Sequence, residues 1–588
     1  MPPAQSNGEE AARLMLGGGP GAHARGRGPL PTDEFSRHDY DHPAAGWGAA
    51  RSVGEVLEKS GTEVEGTRAL FVMNHEDGGF DCPGCAWPDD PSGLRLDICE
   101  NGVKHATWEL TRKLVDRDFF ATHTVSELAG WTDYDLEAAG RLAEPMRYDA
   151  AADKYVPVSW QDAFEIVGSA LRGLGSPHEA SFYTSGRLSN EATFLYQLWV
   201  REFGTNNLPD CSNMCHEASG RALTPALGTG KGTVDLHDWE QADAIWLIGD
   251  NAATNAPRML TWLAEADRRG AALVHINPLI EAASRRTIVP HEFVDMATFH
   301  SEKIGTMNVQ VRIGGDMALM RGVAKAVFEA AEDDPSVLDG EFLEAYTHGF
   351  DEYRALCGQT TWNEVVAGSG VDEAATRRLA DSYMKSGSVI MAWCLGITQH
   401  EHGVDTIGEL VNVLLLRGNI GREGAGPCPI RGHSNVQGNR TFGINHRPDE
   451  HFLDRLAEVC KIDVPREHGL GTVPTIEAMH QGKVKVFVSL GGNFALATPD
   501  TPYTFEALRN CELTVHVATK LNRSHIVHGK RALILPCLGR TDKDHQASGP
   551  QGVSVEDAMS MVHISYGMRE PLSPHMRSEC AILAGMAQ

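Results

Sequence analysis

Basic residues are scarce in this sequence. Its 588 residues include 52 lysines and arginines against 79 aspartates and glutamates, so the formal net charge is −27 at pH 7. A protein that binds the phosphate backbone of a nucleic acid needs a basic patch or stripe. The composition therefore argues against nucleic acid as a partner.

Long hydrophobic runs are also missing. The chain has no stretch of about twenty apolar residues, the length that a membrane-spanning helix requires. The N-terminal segment ARLMLGGGPGAHARGRGPLP has neither the hydrophobic centre of a secretory signal nor a twin-arginine start. We expect a soluble, cytoplasmic protein that does not insert into a membrane.

Most of the twelve cysteines occur singly, so they do not form a disulfide framework. The exception is a group in which Cys82 and Cys85 form a C-x2-C pair in a Pro/Gly turn and Cys99 follows after thirteen residues. This spacing lets three thiolates converge on a metal or an iron–sulfur cluster. Zinc, a redox-active dithiol and a reduced turn without metal fit the same pattern.

The fourth ligand of such a site is not a nearby cysteine. His75 and His105 are the candidates to complete a tetrahedral site. Lys104, five residues after Cys99, either places a cation beside the site or is a surface lysine.

Short β-branched runs alternate with helical stretches over most of the chain. VSWQDAFEIVGSALRGL has apolar residues at helical spacing behind an N-capping Ser159, and ASFYTSG after it is typical of a buried strand. Later strands are predicted in ADAIWLIGDN, GAALVHINP, GSVIMAWCLG, KVKVFVSLGGN, LTVHVAT and RALILPC. Such alternation predicts an α/β multi-domain protein. We expect two doubly wound, mostly parallel sheets, over about residues 243–396 and 484–536, facing a central cleft.

Polar loops follow several of these strands. They are GDNAATN, INP, GGD and GGNFALAT, and none is a GxGxxG fingerprint or a Walker loop. Ligands of parallel sheets bind at the carboxyl ends of the strands. Each loop alone is explained by a tight turn, but their distribution over two sheets favours ligand binding.

The segment SNMCHEASG places Cys215 directly before His216. A thiolate is a nucleophile or a soft-metal ligand, and an imidazole exchanges protons near neutral pH. From these two residues alone, a core cysteine beside an incidental histidine is an adequate explanation. A cysteine protease would need a more distinctive turn at its nucleophile.

The segment NMCHEASG and the later run ITQHEHGVDTIGELVNVLLLRGNIGREGAGPCPIRGHSNVQGNRTFG together change this interpretation. In order and spacing, from about Phe71 to His563, the chain resembles the molybdopterin-dependent oxidoreductases, and specifically the formate dehydrogenase alpha subunit. The resemblance implies that Cys215 binds molybdenum, His216 transfers a proton and Arg431 holds a small anionic substrate. It also implies a [4Fe–4S] cluster at Cys82, Cys85 and Cys99 and an electron-transfer partner.

The resemblance further implies two molybdopterin guanine dinucleotides, one at each sheet. The residues that it assigns to them are Asn251, Asn277, Asp316 and Gln399 in the first sheet and Gly492, Asn493, Thr498, Lys520 and Asn522 in the second. Lys104 would lie between the cluster and the pterin. His433 stands where formate enzymes commonly carry glutamine, so formate is one candidate among small substrates.

The expected organisation is a flexible extension (1–65), an iron–sulfur-like region (66–135), a discontinuous pterin-dinucleotide domain (136–210 and 434–588) and a second such domain (211–433). The chain departs from the family in having three clustered cysteines rather than four. We also expect it to lack the C-terminal β-barrel of the family. Two alternatives stay open: a non-catalytic iron–sulfur or scaffold subunit of the same fold, and a zinc or thiol-redox enzyme.

Overall fold

The computed structural model describes residues 42–75, 78–90, 97–289 and 292–588. Its strands are β1 (Ala44–Ala45), β2 (Leu114–Val115), β3 (Arg141–Leu142), β4 (Met146–Asp149), β5 (Lys154–Pro157), β6 (Ala180–Thr184), β7 (Ala244–Ile248), β8 (Ala272–Ile276), β9 (Thr287–Ile288), β10 (Met307–Val309), β11 (Val389–Trp393), β12 (Gly426–Pro429), β13 (Val486–Leu490), β14 (Leu513–Ala518), β15 (Arg531–Pro536), β16 (Asp544–Gln546), β17 (Gly549–Gln551), β18 (Val553–Glu556) and β19 (Val562–Ser565).

The α-helices are Gly46–Ser60, Glu63–Leu70, Glu100–Leu110, Arg117–Thr122, Val125–Ala129, Asp133–Ala138, Trp160–Arg172, Asn190–Phe203, Glu217–Leu227, Leu236–Gln241, Ala252–Asn255, Met259–Arg268, Ala282–Arg285, Phe293–Thr298, Asp316–Asp333, Gly340–Tyr346, Phe350–Gln359, Trp362–Ser369, Glu373–Lys385, Leu395–Thr398, Gly403–Leu416, Val436–Thr441, Glu450–Cys460, Thr472–His480, Phe494–Ala497, Thr501–Asn510, Arg523–Ile526 and Glu579–Ala587. Short 3₁₀ helices are Pro177–Glu179, Cys211–Met214 and Pro335–Val337.

The first sheet is parallel throughout, in the order β10-β8-β7-β11-β12. The chain enters at β7, adds β8 and β10 on one side, and then returns to add β11 and β12 on the other. This reversal between β7 and β11 is the switch point of a doubly wound sheet, as predicted. Both faces are buried: Ile245 and Leu247 belong to one core cluster, and Trp246 and Ile248 belong to the other.

The second sheet has the order β5-β4-β15-β14-β13-β6. Strands β6, β13, β14 and β15 are parallel, and the β4–β5 pair joins the edge in antiparallel orientation. The prediction of a mostly parallel sheet is therefore confirmed. The parallel strands lie in chain order, however, without the reversal that defines a doubly wound sheet, so that detail of the prediction is wrong here.

Local sequence explains the elements that lead into the second sheet. The hydroxyl of Ser159 accepts a hydrogen bond of 3.1 Å from the Asp162 amide and caps the helix Trp160–Arg172, as predicted. Ala163 and Val167 on one face of this helix are buried. Strand β6 is buried along its whole length. In sequence, strands β4 to β6 of the six-stranded sheet precede the strands of the first sheet, and β13 to β15 follow them. The limits of the domains stay a prediction.

The predicted flexible extension is only in part open to comparison, because residues 1–41 lie outside the described residues. From Gly46 the prediction is wrong: Gly46–Ser60 is a helix. Val53 and Val56 pack against a core cluster that includes Met73 and Leu110. Three glycines in this helix obscured its apolar face in the sequence, and tertiary packing outweighs their low helix propensity.

The C-terminal segment closes over the second sheet and the cysteine region. The helix Glu579–Ala587 buries Ile582 and Leu583 in the same cluster as helix Asn190–Phe203. Strand β19 reaches the cysteine loop, where the Ser565 hydroxyl accepts a 2.9 Å hydrogen bond from the Asp81 amide. In the part of the chain that the structure describes, no helix is long and apolar enough to cross a bilayer.

Candidate functional site

The carboxyl edge of the first sheet gathers the polar residues that follow its central strands. The Asn277 side-chain amide donates to the Asp250 carbonyl oxygen (2.9 Å), and the Asn251 amide donates to Glu281 (2.9 Å). Gly249 has a φ of 59°, and a Cβ there would lie 2.7 Å from the Gly396 carbonyl carbon. The loops after β7 and β11 therefore meet at the switch point.

Asp316 and Gln399 are the two further residues assigned to this edge. Asp316 begins the helix Asp316–Asp333 after β10, and burial raises its pKa to about 6 while His400 opposes that shift. Gln399 donates a 2.9 Å hydrogen bond to the Met214 carbonyl oxygen, and Thr398 donates one of 2.6 Å to the Cys215 carbonyl oxygen. The Gln399 loop thus holds the segment that carries Cys215.

The second sheet has a cavity of about 810 Å³ at its carboxyl edge. Gly492, Asn493, Lys520 and Asn522 line it, which brings together four of the five residues assigned to this sheet. Thr498 does not line it, because its hydroxyl turns inward and donates to the Phe494 carbonyl oxygen (2.9 Å).

Lys520 is one of the cationic residues that line this cavity, together with Arg187 and Arg540. Its ammonium group donates to the Trp108 carbonyl oxygen (3.2 Å) and lies 4.1 Å from the centre of the Trp108 ring. Burial lowers the pKa of Lys520 to about 7, against the attraction of Glu137. The charge of Lys520 therefore responds to an anionic ligand in this cavity.

Cys215 lies between the two sheets in sequence and ends the 3₁₀ helix Cys211–Met214. Only 9% of its surface is exposed, and a Cβ built on Gly432 would be 4.0 Å from its sulfur. Burial raises the pKa of the thiol, whereas the Gly432 amide and the charge of Arg431 lower it. Residues far apart in sequence thus meet: the Cys215 sulfur faces the segment that contains Arg431.

Arg431 is buried and held by its neighbours. Its guanidinium donates to the Gln437 side chain (2.8 Å) and to the Gly230 carbonyl oxygen (2.9 Å). Burial lowers its pKa to about 10, and the nearby Cys215 opposes that shift. Arg431 is therefore a fixed positive charge at neutral pH beside the thiol.

His216 is 1% exposed, and both of its ring nitrogens are engaged in the interior. The Nε2 atom lies 2.8 Å from the Ile430 carbonyl oxygen, so it carries the proton, and Nδ1 accepts from the Ser219 hydroxyl (3.0 Å). Trp393 in turn donates to the Ser219 hydroxyl (3.0 Å). Burial lowers the pKa of His216 to about 3. The neutral His216 ring therefore holds the backbone of Ile430, the residue that precedes Arg431.

The three clustered cysteines line one cavity of about 120 Å³. Burial raises the pKa of Cys82 well above its usual value and that of Cys99 to about 12, and the neighbouring thiols add to both shifts. A Cβ on Gly102 would lie 2.8 Å from the Cys82 sulfur, and one on Gly84 would lie 3.2 Å from it. Glycine at both positions therefore keeps the space around this sulfur open.

Sequence reasoning placed Lys104 between this cavity and the larger one, but it lines neither of them. His105 and Arg187 line both. A guanidinium nitrogen of Arg187 lies 3.5 Å from Nε2 of His105. Burial, together with the charge of Arg187, lowers the pKa of His105 to about 3. These two side chains separate the cysteines from the second-sheet cavity.

The cysteine loop and the Arg431 loop are joined through their backbones. The Ser434 amide donates to the Gly84 carbonyl oxygen (3.0 Å), and the Ala86 amide donates to the Arg431 carbonyl oxygen (3.4 Å). His433 lies on this loop, where burial lowers its pKa to about 4. Its buried Nδ1 has no hydrogen-bond partner among the described residues. The cysteine cavity and the Cys215 pocket are thus adjacent.

Buried arginines from other parts of the fold form ion pairs with aspartates beside the clustered cysteines and so hold the cysteine loop in place. Arg258 pairs with Asp89 (2.9 Å) and with Asp97, and Arg540 pairs with Asp81 (2.6 Å). Arg540 also donates to the Ser434 hydroxyl (2.7 Å) and so connects both loops.

His563 of β19 belongs to the same group of buried charged residues. It bridges Asp557 (2.7 Å) and Asp89 (3.2 Å). Burial opposes its protonation, but these carboxylates raise its pKa to about 11. Neither the arginines nor this histidine was identified from the sequence.

The sequence of this chain is similar to those of several known proteins. The sequence model of the molybdopterin oxidoreductase family matches residues 141–526. Protein YdeP of Escherichia coli is 46% identical over 554 residues, which are 93% of this chain and 73% of YdeP. An uncharacterized oxidoreductase of Mycobacterium tuberculosis, Rv2900c, is 50% identical over 524 residues, 89% of this chain and 67% of that protein.

More distant similarities are found in sequence and in structure. The F420-dependent formate dehydrogenase subunit alpha of Methanocaldococcus jannaschii is 26% identical over 387 residues, 65% of this chain and 53% of that subunit. The solved structure of acetylene hydratase from Pelobacter acetylenicus superposes with a TM-score of 0.58 at 16% identity, covering 76% of this chain and 61% of that one. The family match spans most of both sheets and the segment that carries Cys215 and Arg431. The chain belongs to the molybdopterin oxidoreductase family.

Proposed function

We propose that this chain is a molybdenum enzyme that holds two molybdopterin guanine dinucleotides and a [4Fe–4S] cluster and carries out a two-electron oxidation or reduction. Its substrate would be a small anion, formate or a similar molecule, and its electrons would pass to or from a separate electron-transfer partner. The family supplies the pterin and the class of reaction. The dinucleotide form, the cluster and the substrate are the parts that we propose.

The position of Gly432 is the observation that carries this proposal. Gly432 lines the cysteine cavity, and the point where its Cβ would stand is 4.0 Å from the Cys215 sulfur. Arg431 directly precedes it. The Cys215 thiol and the three-cysteine cavity therefore both adjoin the loop that carries the Arg431 guanidinium. An enzyme that passes electrons between two centres needs such a connection.

The pterin cofactor fits the donors of the two sheets. Asn251 and Asn277 meet at the edge of the first sheet, and Asn493 and Lys520 line the 810 Å³ cavity of the second. At the first edge, one carboxylate oxygen of Asp250 is buried without a hydrogen-bond partner among the described residues. The same holds for Nδ1 of His433 on the Arg431 loop. Such orphaned polar atoms are costly unless a ligand or water satisfies them.

The cysteine cavity fits a cluster better than zinc. In a tetrahedral zinc site with Zn–S bonds of about 2.3 Å, the sulfurs lie about 3.8 Å apart. Among the described residues, the groups with ligand atoms all within 4.8 Å of one another do not include these three thiols. The cavity of about 120 Å³ also exceeds the roughly 30 Å³ of one water molecule several-fold. Iron–sulfur clusters are the larger thiolate-bound alternative.

The chemistry of the site divides between the cofactor and the chain. When bound, the molybdenum centre would supply the two-electron redox change and the cluster would carry single electrons. Cys215 would hold the metal, and Arg431 would bind the substrate anion through charge-assisted hydrogen bonds. His216 is the residue that the resemblance assigns to proton transfer, and its ring would have to leave the Ile430 carbonyl oxygen to take that role.

Element and nucleotide analysis of protein purified without oxygen tests this proposal. We expect molybdenum together with iron and acid-labile sulfide in a ratio to molybdenum of about four. Acid hydrolysis should release guanine nucleotide at twice the amount of molybdenum. Iron without molybdenum would instead support the scaffold subunit, and zinc alone would support the thiol-redox enzyme.

Filling the space beside Cys82 provides a sharper test of the cluster. A methyl group at Gly102 would lie 2.8 Å from the Cys82 sulfur, so Gly102→Ala should lower the iron content several-fold. The matched control is Gly54→Ala, which also lies in a helix but has no atom within 4 Å of its new methyl group. Equal iron content in the two variants would contradict a cluster at this cavity. Because alanine favours helices, both variants should stay folded by circular dichroism.

A further inference from the structure

The cysteine cavity offers three thiolates, whereas a [4Fe–4S] cluster has four irons to ligate. Apart from the cysteines, the described residues that line it with side-chain nitrogen or oxygen atoms are Asn74, Asn101, His105, Arg187, Asn255 and Arg258. The two arginines are cations and offer no lone pair. Building on the cluster proposed above, we propose that His105 is the fourth ligand, so that the cluster is bound by three cysteines and one histidine.

Hydrogen bonds to other residues hold the asparagines of the cavity in place, and the oxygen of Asn74 is itself an acceptor. The Asn74 side-chain oxygen accepts from the Cys82 amide (2.8 Å), and its nitrogen donates to the Asp97 carbonyl oxygen (2.6 Å). Asn101 donates to the Thr254 carbonyl oxygen (2.9 Å), and Asn255 donates to Asp250. Imidazole is also a far better iron ligand than an amide. Among the described residues that line the cavity, His105 is therefore the best candidate to bind iron besides the three cysteines.

The position of His105 agrees with this role. A Cβ built on Gly84, inside the C-x2-C loop, would lie 3.2 Å from the Cys82 sulfur and 4.0 Å from Nε2 of His105. Both atoms thus border the same small volume. Gly102, whose added Cβ would also approach the Cys82 sulfur, precedes His105 by three residues on the helix Glu100–Leu110, so the two share a face.

The surroundings of His105 leave its ring available. The contact that Nε2 makes with Arg187 is 3.5 Å long, at the weak limit of hydrogen bonding. His75, the other histidine suggested by the sequence, does not line the cavity. Histidine ligation raises the reduction potential of a cluster relative to full cysteine ligation. Because His105 also lines the second-sheet cavity, it would connect the cluster to the pterin side.

Pulsed electron paramagnetic resonance of the reduced protein tests this assignment. Protein grown with ¹⁵N-histidine should show a strongly coupled ¹⁵N nucleus that is absent from unlabelled protein. His105→Ala should lose this coupling and at least one iron of the four, whereas His75→Ala should keep both. Circular dichroism of both variants checks that they fold. If His105→Ala does not fold, the coupling in labelled His75→Ala still decides between the two histidines.

The outcomes separate this inference from the proposed function. A four-iron cluster without a coupled histidine nitrogen, or a coupling that persists in His105→Ala, overturns the assignment of His105 and leaves the molybdenum enzyme intact. Reconstituted wild-type protein without any cluster overturns both the assignment and the cluster of the proposed function. Molybdenum content, measured on the same samples, reports on the remainder of that function independently.

Discussion

Cys215→Ala is expected to abolish turnover while the chain stays folded. The side chain is 9% exposed and faces the Gly432 segment, so the substitution removes one sulfur and leaves a small cavity. Loss of the residue that binds the reacting centre should lower activity on the order of 1,000-fold or more. The assay is oxidation of formate with an artificial dye acceptor under anaerobic conditions. Molybdenum X-ray absorption should show the loss of a sulfur ligand whether or not formate is the substrate.

Cys460→Ala is the matched control for this substitution. Cys460 ends the helix Glu450–Cys460, is partly exposed and lines neither the cysteine cavity nor the cavity of the second sheet. It should retain full activity and an unchanged absorption spectrum. Retained activity in Cys215→Ala, with the molybdenum spectrum unaltered, would refute the role of this thiol as a metal ligand.

The repetitive parts of this fold could be predicted from sequence because their signals are local. Buried strands such as β7 and β11 are continuous apolar runs that include β-branched and aromatic residues, and the capping Ser159 marks a helix start. The order of the strands depends on contacts between distant segments. No local pattern in β13 or β14 shows that the second sheet runs in chain order rather than being doubly wound.

Motif matching located the Cys215 and Arg431 segments, and the sequence offered His105 as one of two candidate ligands. It missed Arg187, however, and placed Lys104 rather than His105 between the two cavities. The helix Glu100–Leu110 turns His105, not Lys104, toward the cysteines, a difference of about 100° that spacing from Cys99 did not resolve. Arg187 and Arg540 follow the carboxyl ends of β6 and β15, where ligands of parallel sheets bind. That position is the signal by which both arginines could have been found.

Replacing Arg258 with methionine should release the cysteine loop. Arg258 is 4% exposed and pairs with Asp89 and Asp97, and it also donates to the Trp87 carbonyl oxygen. Removing one partner of a buried ion pair costs about 3–5 kcal/mol because the other charges stay buried. Hydrogen exchange in residues 79–90 and 97–99 should therefore become on the order of 100- to 1,000-fold faster. Iron content should fall as well, because all three clustered cysteines lie in these two segments.

Arg268→Met provides the matched control, since Arg268 ends the helix that Arg258 precedes. Its ion pairs with Glu292 and Glu302 lie at the surface, with the arginine 40% exposed, so their loss should cost at most about 1 kcal/mol. Adding Asp89→Asn and Asp97→Asn to Arg258→Met should restore part of the protection, because the two carboxylates that lost their contact with Arg258 are then gone. Equal exchange rates in Arg258→Met and Arg268→Met would show that packing, rather than buried charge, holds the cysteines in place.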